Sequence, residues 1–314
     1  MFGQKYIKNI YRFLIRKRYQ FVIVFSVCIL MALFGQYVLS TEQKYGDSFA
    51  ESEIFRYPKM PVEFMIPSET ADYMVKHYWE NFDFRDTLLI SNPQYAERSF
   101  VTFIDLFPHA NITAVDESIC DTLDMALDGS LDMFQYFVDL YEKYLYHPES
   151  PYYNEDYYIF VLHYMQSMDN LDPVSKVSSG HQLELAMKNR PGNLAFDFEI
   201  RTSTHKKLHM YSVQSDYTIL FFNDPDSPDC TKVREILKTS PVIEKKMKQK
   251  GASGITIIAV YTDTDLDSWR KSEYPDNWIN GYSKTIAERQ LYDLRAMPSL
   301  YLLNDKKQVI LKDA

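Results

Sequence analysis

The 314-residue chain is 46% hydrophobic and 15% aromatic with a net charge of −9, a composition that supplies one large or two ordinary cores and excludes wholesale disorder. The charge is uneven: residues 1–40 hold Lys5, Lys8, Arg12, Arg16, Lys17 and Arg18 with no acid, and taking those six from −9 leaves −15 for the remainder. So acidic a body argues against nucleic acid and anionic lipid as its partners.

From Phe21 to Leu39 the chain is apolar except for Ser26, Gly35 and Gln36. That length spans a hydrocarbon core as a helix, and the basic flank before it orients the N-terminus inward. Residues 1–40 are therefore read as a signal anchor. A cleaved signal peptide is the rival reading, because Val38 and Ser40 are small enough to precede a cut before Thr41. Cys28 lies inside the apolar run without the surroundings of a lipidation site. Outside it only Cys120 and Cys230 remain, too few to staple a fold, so stability must come from the core; the two either pair with each other or are free.

Residues 41–60 are polar and read as a tether. Residues 61–190 read as an all-helical domain of five or six helices. Ser68-Glu69-Thr70 caps a run with Ala71, Met74, Val75, Tyr78 and Trp79 at helical spacing, which predicts a first helix reaching Asn81. The same spacing returns in Phe100, Phe103, Ile104 and Phe107, then in Met133, Phe134, Phe137, Val138, Tyr141 and Leu145, then in Ile159, Phe160, Leu162, His163 and Met165. Pro108, Asp128-Gly129, Pro148 and Asp172-Pro173 separate these runs. The many tyrosines suit either a binding platform or helices that bury the ring and wet the hydroxyl, and the second reading is the stronger.

Asn189-Arg190-Pro191-Gly192-Asn193 marks a boundary, beyond which residues 193–314 change period. Ala195 to Ile200 alternates as a strand, His209 to Val213 is a short strand or turn, and Tyr217 to Asn223 is a buried strand. A helix follows from Cys230 to Leu237 and is interrupted at Pro241. Ile255 to Tyr261 is a second buried strand, and Ser299–Leu303 with Gln308–Leu311 forms a hairpin. The order predicts an α/β domain with a central mixed sheet flanked by helices.

Three segments of residues 193–314 carry a resemblance to the thioredoxin superfamily. The strand ending at Asn223 runs into Asp226-Ser227-Pro228-Asp229-Cys230, the strand Ile255 to Tyr261 ends in Thr262-Asp263-Thr264-Asp265, and Ala296-Met297-Pro298-Ser299-Leu300 looks like the segment bearing the cis-proline. The domain resembles the extracytoplasmic branch that includes the TlpA and ResA proteins and the peroxiredoxin-like AhpC-TSA group. His77 to Phe84 and Glu184 to Gly192 resemble an uncharacterised helical domain preceding such modules in exported proteins of Bacteroidetes. The resemblance implies a periplasmic location, anchored to the inner membrane by the N-terminal helix, or soluble after cleavage.

It further implies that Ser227 stands where the family has its nucleophilic cysteine, and that Cys230 holds the shielded resolving position. A serine there forms neither a thiolate nor a disulfide, so two-cysteine cycling is lost. Asp224, Asp226 and Asp229 oppose the helix dipole at the same turn, or cap and solvate it. Pro298, the backbone of Met297, and Pro228 are implied to form a groove for an extended exported polypeptide or an envelope protein. Trp269, Tyr274, Trp278 and Tyr282 either roof this groove or pack elsewhere. The sequence stops at Ala314 straight after the last expected strand, where the family usually adds a closing helix, so either the chain is truncated or one face of the sheet is covered differently.

Neither a metal nor another cofactor is expected: His205 and His209 lie in a turn and strand, and the acids from Asp263 to Asp267 lack the glycine and glutamate of a calcium loop. Two other functions stay open. One is monothiol exchange at Cys230, with Cys120 as resolving partner. The other is a structural protein acting through its helical domain.

Overall fold

The computed structural model describes residues 55–60, 67–248, 254–263 and 265–312. The anchor reading of residues 1–40 lies outside these, as does most of the tether; among the described residues no helix is long and apolar enough to cross a membrane. The described chain divides between Glu184 and Leu185 into two compact units.

The first unit contains six α-helices among its described residues: α1 (Pro67–His77), α2 (Pro93–Asp105), α3 (Ile112–Gly129), α4 (Leu131–Tyr141), α5 (Glu155–Ser167) and α6 (Pro173–Met187), the last running across the division. Side-chain caps start four of them: Asn111 accepts from Thr113 N–H, Ser130 from Met133 N–H, Asn154 from Tyr157 N–H, and Asp172 from Val174 and Ser175 N–H. Helix α1 stops at His77, four residues short of the expected end. Tyr78 and Trp79 lie beyond it and are nonetheless fully buried, because the chain turns back and drives both rings into the core.

That core is aromatic. Trp79 meets Phe82, Phe103 and Phe137 edge-on. Phe55 stacks on Tyr78 at 4.9 Å, and Asn81 Nδ2 donates to the carbonyl of Arg56 at 3.1 Å. The end of the expected tether is thus part of the folded unit. Two of the tyrosine hydroxyls bond to protein groups: Tyr164 donates to Asp124 at 2.5 Å and Tyr158 to Gln182 at 3.0 Å.

Among its described residues the second unit is built on a seven-stranded mixed sheet. Its strands are β1 (Glu199–Thr202), β2 (Lys207–His209), β3 (Tyr217–Phe222), β4 (Ile255–Tyr261), β5 (Ile279–Tyr282), β6 (Ser299–Asn304) and β7 (Val309–Lys312), in the order β2-β1-β5-β4-β3-β6-β7. Strands β3, β4 and β5 run parallel, and β6 returns antiparallel to β3. Alternate residues point to opposite faces, and both faces are buried. Leu220, Phe222, Ile258, Val260, Tyr301 and Leu303 enter one core, while Ile219, Phe221, Ile257, Ala259, Leu300 and Leu302 enter the other. Helices α7 (Pro228–Thr239) and α8 (Pro241–Met247) cover the second face with Val233, Leu237 and Ile243. Two short helices, α9 (Asp267–Lys271) and α10 (Lys284–Glu288), complete the unit.

Two expectations are corrected here. The first strand begins at Glu199, not at Ala195. The Phe196 N–H is taken by the side chain of buried Asn189, and the Ala195 N–H by the carbonyl of Lys307, so that segment is held outside a ladder. Ile279–Tyr282, unexpected as a strand, sits between β4 and β1.

Candidate functional site

Strand β3 delivers the chain from the buried sheet to the start of α7 through Asn223 and Asp224 to Ser227. The turn closes on itself: Ser227 N–H donates to the Asp224 carbonyl at 3.2 Å, and Asp226 N–H to Asp224 Oδ1 at 3.0 Å. Ser227 is the N-cap of α7, with extended backbone angles and its Oγ accepting the Cys230 N–H at 3.3 Å. Pro228 follows at the first helical position, where a missing N–H costs nothing. The cap is therefore the serine and not, as the sequence allowed, one of the aspartates. Asp229 instead pairs with Lys232 at 2.7 Å on the surface.

Cys230 is buried and free, as Cys120 is free. Its Sγ accepts the Asp224 N–H at 3.3 Å. Burial pushes the thiol above its usual range; the hydrogen bonds from Asp224 and Ser227 pull the other way, and the charges of Asp224 and Asp229 add to the rise. Exclusion from water, more than the acids singled out in the sequence, keeps this sulfur protonated. In the helical unit, burial together with Asp116, Asp124 and Asp121 pushes the Cys120 thiol up to about 11.

The β3–β6 ladder pairs Phe222 with Ser299. The next residue outward on each strand, Asn223 and Pro298, therefore stands at the same edge of the sheet. The Met297–Pro298 peptide is cis, as the resemblance implies. Pro298 is buried and Met297 half-buried against the first sheet core. At the same edge, at the end of β4, the Tyr261 phenol is pushed up to about 12 by burial and by Asp263, Asp224, Asp265 and Asp226. Two loops thus give this edge a negative character.

The four aromatics between β4 and Pro298 separate. Trp269 is buried and donates its Nε1–H to Asn280 at 3.0 Å, with its ring edge-on to Tyr282. Trp278 is buried in the second sheet core against Phe221. Both rings are buried in packing contacts. Tyr274 is the one that reaches the turn: its hydroxyl donates to Asn223 Oδ1 at 2.6 Å. Asn223 is itself fixed, its Nδ2 donating to the Phe221 carbonyl at 3.0 Å. Sequence reasoning missed Asn223, although a polar residue ending a buried apolar strand beside a turn was a usable signal.

After β4, Asp265 Oδ1 accepts the Asp267 N–H at 3.1 Å, while the cap position of α9 is Leu266, which has no capping side chain. Before Pro298, Asp293 is buried and clamps Arg295, whose Nε lies 2.8 Å from both carboxylate oxygens. Neither residue stood out in the sequence.

Comparison with known proteins places this geometry. The profile described as a domain of unknown function (DUF5106) matches residues 36–189. A crystal structure of a thioredoxin-like protein from Bacteroides caccae is 40% identical, with the alignment covering 83% of this chain and 94% of that one at a TM-score of 0.78. The C-terminal domain of an uncharacterised protein from Bacteroides fragilis is 39% identical over 40% of this chain and 91% of its own, at a TM-score of 0.38. No curated protein matches the chain.

Proposed function

The chain belongs to the thioredoxin-like family, and we propose that it is a polypeptide-binding member that does not run the two-thiol cycle. A dithiol site needs an exposed thiolate at the helix start and a second sulfur to resolve the mixed disulfide. In this reading Ser227 stands at the first position and Cys230 at the second. The observation that carries it is the bond from Cys230 N–H to Ser227 Oγ: the side chain at the first position serves as a helix cap, and the sulfur one turn on is buried and held protonated.

What persists is the edge formed by Ser227, Pro228, Met297 and Pro298. Main-chain pairing with an extended segment requires no sulfur. The acids around Tyr261 favour basic segments as ligands. The ligand is an exported polypeptide or an envelope protein, met in the periplasm by a chain tethered to the inner membrane through residues 21–39. Support for that location is the apolar run behind six basic residues. Monothiol exchange at Cys230 is the weaker reading, because burial outweighs the hydrogen bonds that favour the thiolate.

The test is titration of the full chain with an unfolded, lysine-rich polypeptide whose thiols are all carbamidomethylated. Saturable binding that weakens with salt and persists in Cys230→Ser is expected. Absence of saturable binding at low salt defeats the reading.

A further inference from the structure

Tyr274 is held at two points. Its hydroxyl is bonded to Asn223, and the Arg234 guanidinium lies 5.2 Å from its ring centroid. These two points bracket Cys230. Asn223 directly precedes Asp224, whose N–H binds the sulfur. Arg234 lies four residues past Cys230 on α7, and residues four apart share a helix face. A ring fixed at both ends stands beside the turn that holds Cys230, a residue only 2% exposed. Burial raises the Tyr274 phenol, the Arg234 charge opposes the rise, and Cys230 and Asp224 add to it.

The segment that carries Tyr274 has open space on two sides. One hollow of about 580 Å³ is walled by Tyr274 with Arg234, Leu237, Met247 and Trp278. Another, of about 1040 Å³, is walled by Tyr274 with Thr204, Leu208, Trp269 and Ile279. Side chains in a close-packed interior cannot move without displacing their neighbours. Tyr274 has somewhere to go.

We propose that Tyr274 is the gate to Cys230: closed on Asn223 and Arg234 it shuts the thiol from solvent and from any thiol-reactive molecule, and rotated into either hollow it exposes it. Opening breaks one hydroxyl hydrogen bond and one cation–π contact while leaving the Ser227 cap and the sheet intact. The gate concerns access to sulfur alone, so it stands or falls separately from polypeptide binding.

The test is alkylation of the native full chain by excess N-ethylmaleimide, with each cysteine followed through the mass of its own peptide and Cys120 as internal reference. Tyr274→Phe, which keeps the ring, is expected to speed Cys230 about tenfold, the factor that one hydrogen bond is worth. Tyr274→Ala is expected to speed it at least as much. Acceleration of Cys230 with an unchanged Cys120 rate in either variant supports the gate. Unchanged Cys230 in both variants overturns it, as does equal acceleration of both cysteines, which would report general loosening instead.

Discussion

Ser227 Oγ accepts the backbone N–H of Cys230 at 3.3 Å, so the side chain that we propose stands at the first position of a redox turn is here engaged in the start of a helix. Removing the cap measures what it contributes. Ser227→Ala is expected to lower stability by about 1 kcal/mol, while Ser227→Asn, an equally good cap, changes it by only a few tenths, roughly. Urea unfolding of the three proteins checks this; equal midpoints for serine and alanine would show that the bond is incidental.

Alkaline pH should weaken the fold through the thiols. Burial raises Cys230 and takes Cys120 to about 11 in the folded chain. A thiol whose folded pKa is raised contributes stability that is fully present below its unfolded value, about 8.5, and is lost as pH rises through the folded value. For Cys120 the window runs from about 8.5 to about 11. Tyr136 and Tyr261, each raised to about 12, extend the loss further. The urea midpoint should be flat in this respect below the window and fall through it, and Cys120→Ala should lessen the fall. A profile identical in the two proteins would refute the assignment to Cys120.

The clamp before Pro298 is worth testing by itself. Asp293 is nearly fully buried and Arg295 is 28% exposed in its side chain, with Nη2 reaching Asp293 Oδ2 at 2.6 Å. Breaking a buried pair strands the remaining charge, and partial exposure of the arginine reduces the penalty, so Asp293→Ala should cost about 2–3 kcal/mol. Thermal melts give the answer, and a loss below about 0.5 kcal/mol would mean that solvent already screens the pair.

Legibility in the sequence followed side-chain size and burial. Strands β3, β4 and β6 are continuous apolar runs because both faces of the sheet are covered, and continuous runs are conspicuous. Strand β5 reads Ile-Asn-Gly-Tyr, the composition of a turn. It is a strand because β1 approaches so closely that a Cβ on Gly281 would lie 2.8 Å from the Arg201 carbonyl oxygen, leaving room only for glycine. Helix α3 was absent from the expected runs because its buried face is partly small and polar, with Ala114, Ser118, Thr122 and Ala126. Ser227 with Cys230, and Met297 with Pro298, are neighbours in short motifs, which a sequence displays directly. Tyr274 and Asn223 are 51 residues apart and meet only through the fold.

The proposed loss of the two-thiol cycle is tested most directly by insulin reduction with dithiothreitol recycling, comparing the full chain with Ser227→Cys. The parent should be indistinguishable from dithiothreitol alone, and the variant should turn over, because the strand, the helix start and Cys230 are all in place for a restored first thiol. Robust turnover by the parent would mean that Cys230 works without a partner at position 227, and the role assigned to Ser227 would be wrong.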